Sequence, residues 1–187
     1  MSTRKIDEFN AEDRIDLRLL ENSTFYLNGE IDETTVGAAI KWIIYENLKG
    51  EGRTLTLYIN STGGDLYQAL ALIDVMRSSP HIIRTIGIGA VMSAAFLIFA
   101  CGDKNERYAA SNASFMCHQF TSGMDAKYHD LKAEMKETEL LNTKMIDILV
   151  ETTGLVRSKV KAKLLPASDV YLTATEMVDF CVADHII

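Results

Sequence analysis

Three cysteines, two prolines and one tryptophan in 187 residues are what this chain has least of. Cys101, Cys117 and Cys181 show no C-x-x-C spacing and lie within or beside apolar runs. That excludes a disulfide scaffold and reads as buried, reduced thiols in a reducing compartment. Positive charge is also scarce: 19 Lys and Arg against 26 Asp and Glu leave a net charge of −7. A surface built to bind nucleic acid is therefore not expected. The opening stretch MSTRKIDEFNAEDRIDLRLL lacks the apolar core of a secretory signal and is too acidic for a transit peptide. The longest apolar run, Ile86 to Cys101, is broken by glycines. At about 16 residues it falls short of the roughly 18–20 that span a membrane. No Walker spacing, HExxH or HxxEH occurs, so neither a phosphate loop nor a metal-ligand motif is present. A cytoplasmic globular protein without a membrane span is the expectation.

What is present is an alternation of strand-like and helix-like segments. STFYLNG (residues 23–29) and TLTLYIN (54–60) are β-rich and each is closed by a turn. Between them Val36, Ile40, Ile43, Ile44 and Leu48 recur at helical spacing from Thr34 to Leu48. A second helix is predicted from Asp65 to Arg77 through Leu66, Ala69, Leu72, Ile73 and Met76, stopped by Ser78, Ser79 and Pro80. A buried strand over Ile82–Ile88, a short helix at Ser93 and two short strands around Tyr108 and Phe115 follow. A long helix from about Ala126 to Glu151 carries charged faces and a stripe of Leu131, Met135, Leu141, Met145 and Leu149. Two short helices and a last strand, VADHII, complete the chain. No repeat, low-complexity tract or linker interrupts it. The pattern implies an α/β domain with largely parallel pairing.

Three residues carry the types needed for nucleophilic catalysis: Ser93 in GAVMSAAF, His118 in FMCHQF and Asp169 in ASDVYLTA. A serine hydroxyl needs a base to remove its proton, and a neutral imidazole serves near pH 7. The imidazole needs a carboxylate to fix its tautomer and stabilise its charged form. Each residue alone has a plainer alternative. Ser93 can be a buried helix-start serine bonded to the backbone, His118 a core histidine, and Asp169 a turn or cap residue. His81, His129 and His185 read as loop, surface-helix and terminal residues. The STGG turn after the second strand lets backbone amides approach a ligand closely, as half of an oxyanion hole would require.

LYINSTGGDLYQALALIDVM followed by IGIGAVMSAAFLIFACGDKNERYAASNASFMCHQF resembles the proteolytic subunit of the Clp protease, ClpP. That family's pattern is a Y-I-N-S-P-G-G turn, a serine in G-Q-A-A-S-M-G-A, then M-I-H-Q-P and a later D-x-F-L-S-A. The first three segments align without a gap, and the similarity covers about Asp16 to Ile187. The resemblance implies that Ser93 is the nucleophile, His118 the general base and Asp169 the orienting carboxylate. The amides of Gly64 and Ala94 would form the oxyanion hole. It also implies a crotonase-like α/β fold of repeated ββα units with a protruding long helix at about 126–152. Residues 1–15 would be an N-terminal segment before a single peptidase domain, 16–187. Heptameric rings stacked as a tetradecamer would enclose polypeptide substrates delivered by an AAA+ unfoldase. The chain itself would need no cofactor, ATP acting only through that partner.

Several positions depart from the pattern. Ala94 and Ala95 stand where the family has Met and Gly, and two residues are inserted between Gly154 and Asp169. Ser168 replaces a common arginine. Tyr58 is kept at the unfoldase-docking surface, whereas Thr56 and Ser78 replace aromatic residues. Two other classes share the fold: a non-catalytic ring subunit, and a crotonase-type enzyme acting on acyl-CoA.

Overall fold

Alternation decides where the sheet lies. In β2 (Thr54–Ser61) every second residue, from Leu55 to Ser61, is buried and the others are half-buried, the signature of a central strand. The computed structural model describes residues 10–50, 52–121, 123, 125 and 127–187. On one side β2 pairs in parallel with β1 (Thr24–Asn28), and on the other with β3 (Ile82–Met92). The parallel path continues through β4 (Arg107–Ala109) to β7 (His185–Ile186). β5 (Ser114–Cys117) also pairs in parallel with β3, and β6 (Val170–Leu172) runs antiparallel to β5. Parallel neighbours need crossovers, and helices supply them. α2 (Glu33–Leu48) joins β1 to β2, and α3 (Leu66–Ser78) joins β2 to β3.

Local chemistry fixes the helix starts. Asp32 accepts from Thr35 N and Thr35 reciprocates, a capping box at α2. Asp65 caps α3 through Tyr67 N and Gln68 N. α4 (Ala94–Ala100) is buried along its whole length and packs against α3 and the sheet. Its Phe96 and Phe99, with Phe115 of the strand beneath, are fully buried and fill the core. α5 (Tyr128–Thr153), α6 (Arg157–Lys163) and α7 (Ala174–Asp179) complete the helices after β5.

β3 is the element that positions the site, because it forks. Thr85–Gly87 pair with β4, whereas Ala90–Met92 pair with β5. At the fork the register against β2 shifts from Ile59↔Gly87 to Ser61↔Val91, a bulge of two extra residues. Gly89 takes φ +58 there, and a Cβ on it would lie 2.4 Å from Asn60 Oδ1. Asn60 fills the gap: Oδ1 accepts from Ala90 N at 3.0 Å, and Nδ2 donates to Asn28 Oδ1 at 2.8 Å.

The α/β class expected from the sequence is observed, with differences in detail. The strand predicted to stop at Ile88 runs on to Met92, since the bulge restores pairing after Gly89. A helix α1 (Ala11–Glu21), capped by Asn10, crosses the expected boundary after residue 15. Residues 1–9 of that segment and Ala126, the expected start of the long helix, lie outside the described residues. Of the expected stripe, Leu141, Met145 and Leu149 are buried. Leu131 and Met135 are exposed, because the face of α5 turned to the body before Leu141 carries the half-buried Glu134, Glu137 and Thr138 instead. His81, expected in a loop, stands in the bend between α3 and β3 and is buried there, 4% exposed. Cys181, expected to be buried, is exposed at φ +58 in the turn after α7.

Candidate active site

Ser93 sits where β3 hands over to α4. Its N–H donates to Met116 O at 2.9 Å, one last rung of pairing with β5, and its φ and ψ are 55° and −122°. Such a conformation costs a non-glycine residue about 1–3 kcal/mol and persists only where the surroundings impose it. Ser93 holds the N-cap position of α4, yet its side chain makes no capping bond. Its Oγ lies 2.8 Å from His118 Nε2 instead. The plainer alternative, a hydroxyl spent on the backbone, does not hold.

His118 and Asp169 meet through strand register. β5 and β6 pair Phe115 with Leu172, Met116 with Tyr171 and Cys117 with Val170. One step further along this antiparallel ladder His118 faces Asp169, and Nδ1 lies 3.3 Å from Oδ1. The Asp169 side chain is 52% exposed and that of His118 24%, so the couple is open to water on the carboxylate side. The three residues singled out in the sequence are thus brought together in the order serine, imidazole, carboxylate. Cys117, next to His118, is buried on β5, and burial pushes its thiol up to about 12. It is therefore no competing nucleophile.

The STGG turn supplies backbone donors. Ile31 N donates to Gly63 O at 2.9 Å and Asp65 N donates to Ile31 O at 2.7 Å. This parallel bridge straddles Gly64 and leaves its own N–H facing away from Ile31. Ala94 N–H belongs to the first turn of α4, where no intrahelical acceptor exists. Gly64 and Ala94 line the same cavity as Ser93 and His118, about 360 Å³ in volume. Both glycines of the turn are obligatory. At Gly63 (φ +103) a Cβ would fall 2.7 Å from Ser93 Cβ, and at Gly64 (φ +150) one would fall 2.4 Å from Ile31 O.

Leu97 of α4 and Leu141 and Met145 of α5 give the cavity apolar walls, and Asp65, Tyr67 and Glu134 stand among its polar residues. Tyr67 OH donates to Glu137 Oε1 at 3.3 Å and so ties the start of α3 to α5. Partial burial, and next the charge of Glu137, raise the Tyr67 phenol above its ordinary pKa.

The sequence model of the family described as Clp protease matches residues 8–187, nearly the whole chain. The chain belongs to the Clp protease family. Membership carries a coarse function, that of a Clp-type peptidase from a family of ring assemblies. The observed α/β fold with its projecting α5 is consistent with that of the Clp peptidases. Among the described residues, no helix is long and apolar enough to cross a membrane.

Sequence reasoning gave Tyr67 and Glu134 no role at the site and read Gly63 only as part of the STGG turn. Gly63 was legible only as half of a turn, since its contact with Ser93 spans thirty positions. Tyr67 and Glu134 carried no signal beyond an ordinary helix start and a charged helix face.

Proposed function

We propose that this chain is a serine endopeptidase subunit that hydrolyses peptide bonds through an acyl-enzyme. The observation that supports it most is the placement of His118 between Ser93 Oγ at 2.8 Å and Asp169 at 3.3 Å. In this reading neutral His118 holds its proton on Nδ1 toward Asp169 and presents Nε2 to the serine. Ser93 Oγ attacks the scissile carbonyl as its proton passes to Nε2. The imidazolium then protonates the leaving amine and the C–N bond breaks. Water attacks the ester that remains, again giving its proton to His118, and Ser93 is regenerated. The negative charge on the carbonyl oxygen in both steps falls to the amides of Gly64 and Ala94. Water screens Asp169, so its role is chiefly to hold the ring's tautomer and orientation.

The same reading extends to assembly. One peptidase domain per chain would build heptameric rings stacked as a tetradecamer. The exposed Tyr128, Leu131 and Met135 of α5 offer a surface for the opposite ring. Polypeptides would be delivered by an AAA+ unfoldase in the cytoplasm, with ATP consumed only there.

A fluorophosphonate probe tests the chemistry, because it labels only an activated serine. The wild-type protein should be labelled and Ser93→Ala should not. Asp169→Asn should be labelled about 10²–10⁴-fold more slowly. Labelling of Ser93→Ala at the wild-type rate, or no labelling of the wild type, would sink the proposal.

A further inference from the structure

We infer that Gln119 positions the acid of the triad, an assignment that rests on the peptidase reading: its side-chain amide ties the chain beyond β5, which carries His118, to the loop that carries Asp169. Gln119 Nε2 donates to Leu165 O at 3.1 Å, across 46 positions of sequence. His118 immediately precedes Gln119, and Asp169 follows Leu165 after a short stretch, Pro166-Ala167-Ser168. The bond therefore closes a small circuit. It runs from His118 through Gln119 to Leu165, along the chain to Asp169, and back to His118 Nδ1 at 3.3 Å.

The ladder between β5 and β6 ends at the pair Cys117 and Val170. Continued in register, Gln119 would face Ser168. Its amide reaches Leu165 instead, so residues 166–168 leave the line of the ladder and Asp169 stands where they rejoin it. Pro166 has no N–H with which to return this arc to β5, and Ala167 and Ser168 are exposed. Among the described residues, the Asp169 carboxylate has His118 as its partner and draws no donor from its own loop. Where the arc is held therefore decides where the carboxylate lies.

Both ends of the arc are anchored. Leu164 and Leu165 are buried in the core, and the N–H of each donates to Val160 O, at 2.9 and 3.0 Å. A carbonyl at the edge of a core needs a donor, and the Gln119 amide supplies it to Leu165. At the other end Leu172 fixes β6. The two anchors do different things. β6 decides which residue faces His118, and Gln119 decides how closely that residue is kept against it.

Gln119→Met keeps the length of the stem and removes the N–H, whereas Gln119→Lys keeps a donor of similar reach. The wild type, both variants, Asp169→Asn and the Gln119→Met/Asp169→Asn double variant are treated with the fluorophosphonate probe. Limiting rate and final extent of labelling are read separately. Gln119→Met should reach the wild-type extent about fivefold more slowly, the effect of one neutral hydrogen bond. Gln119→Lys should be faster than Gln119→Met. In the Asp169→Asn background the methionine should change the rate by less than about twofold, because the carboxylate it would misplace is gone. An equal loss in both backgrounds, a loss of extent in place of rate, or a lysine variant no faster than the methionine one overturns the inference. Hydrogen exchange of the β6 amides, followed by mass spectrometry, gives a reading that does not need activity. Gln119→Met should speed that exchange by about fivefold as well. If the wild type is never labelled while this exchange quickens, the peptidase reading falls and the tie from Gln119 to the acid loop stands. If the exchange is unmoved, the tie falls whether or not the wild type is labelled.

Discussion

Adding one methyl group at Gly63 probes how Ser93 is held. The Gly63→Ala variant has two penalties. Its φ of +103 is one that an L side chain tolerates poorly, at about 1–2 kcal/mol. Its Cβ would lie 2.7 Å from Ser93 Cβ and 2.8 Å from Met92 O, where ordinary contact begins at 3.4 Å. Neither neighbour is the free end of a flexible chain, so the overlap must be relieved by moving the β3–α4 corner. Overpacking of this kind costs about 1–3 kcal/mol. The total is about 2–5 kcal/mol, and at about 2–4 °C per kcal/mol the melting temperature should fall by roughly 4–20 °C. A displacement approaching 1 Å at a reacting atom costs about 10²-fold in rate, so fluorophosphonate labelling should slow by about 10–100-fold. Gly37→Ala is the control. Gly37 lies inside α2 with no heavy atom within 4 Å of its would-be Cβ, and alanine there should stabilise by about 0.5–1 kcal/mol. Labelling rates and melting curves at equal protein concentration give the answer. A Gly63→Ala protein that melts with the wild type and labels within twofold of its rate refutes the claim that this contact holds the serine.

Two further outcomes follow from buried groups away from the triad. Arg107, 3% exposed, forms a two-pronged pair with Asp184 at 2.7 and 2.8 Å and also donates to Thr152 O at 3.0 Å. Removing the carboxylate with Asp184→Ala leaves a buried guanidinium unpaired and should cost about 3–5 kcal/mol in denaturant unfolding. Burial pushes the Asp184 carboxyl up, but the hydrogen bonds and charge of Arg107 outweigh it and hold it below the usual range. Its contribution is therefore present above pH about 4 and fades as pH falls through the lowered value, so the variant should show a shallower acid loss of stability. An equally steep acid limb would contradict this. Iodoacetamide should modify exposed Cys181 within minutes. It should spare Cys101 and Cys117, whose thiols burial pushes up to about 12, until the protein is denatured. Mass mapping of the adducts decides it.

Much of the fold was legible because apolar spacing is local. Val36 to Leu48 and Leu66 to Met76 report their helices without knowledge of anything else in the chain. The end of β3 was not legible. Gly87 and Gly89 look like a terminator, and only Asn60, thirty positions away, explains how pairing resumes past them. The helix α1 is charged and buries none of its residues, so no apolar face announced it. At the site, residue types were readable but their meeting was not. Ser93 faces His118 because β3 pairs with β5, and His118 faces Asp169 because β5 pairs with β6. Both are register facts, fixed by long-range pairing that no local window contains.

The β5–β6 ladder has a further consequence for how this chain can vary. β6 touches the sheet through three residue pairs, and Asp169 is the position just before them. The carboxylate is therefore counted backward from Leu172, whose side chain is anchored in the core, and not forward from Gly154. The run from Gly154 to Ser168 pairs with no strand, so it does not set the register of Asp169, although Val160, Leu164 and Leu165 anchor it in the core. Between Asp169 and Leu172 there is no slack. One residue gained or lost there would present a neighbour to His118 and turn the alternation of β6 inside out. The register of Asp169 is thus set from its C-terminal side.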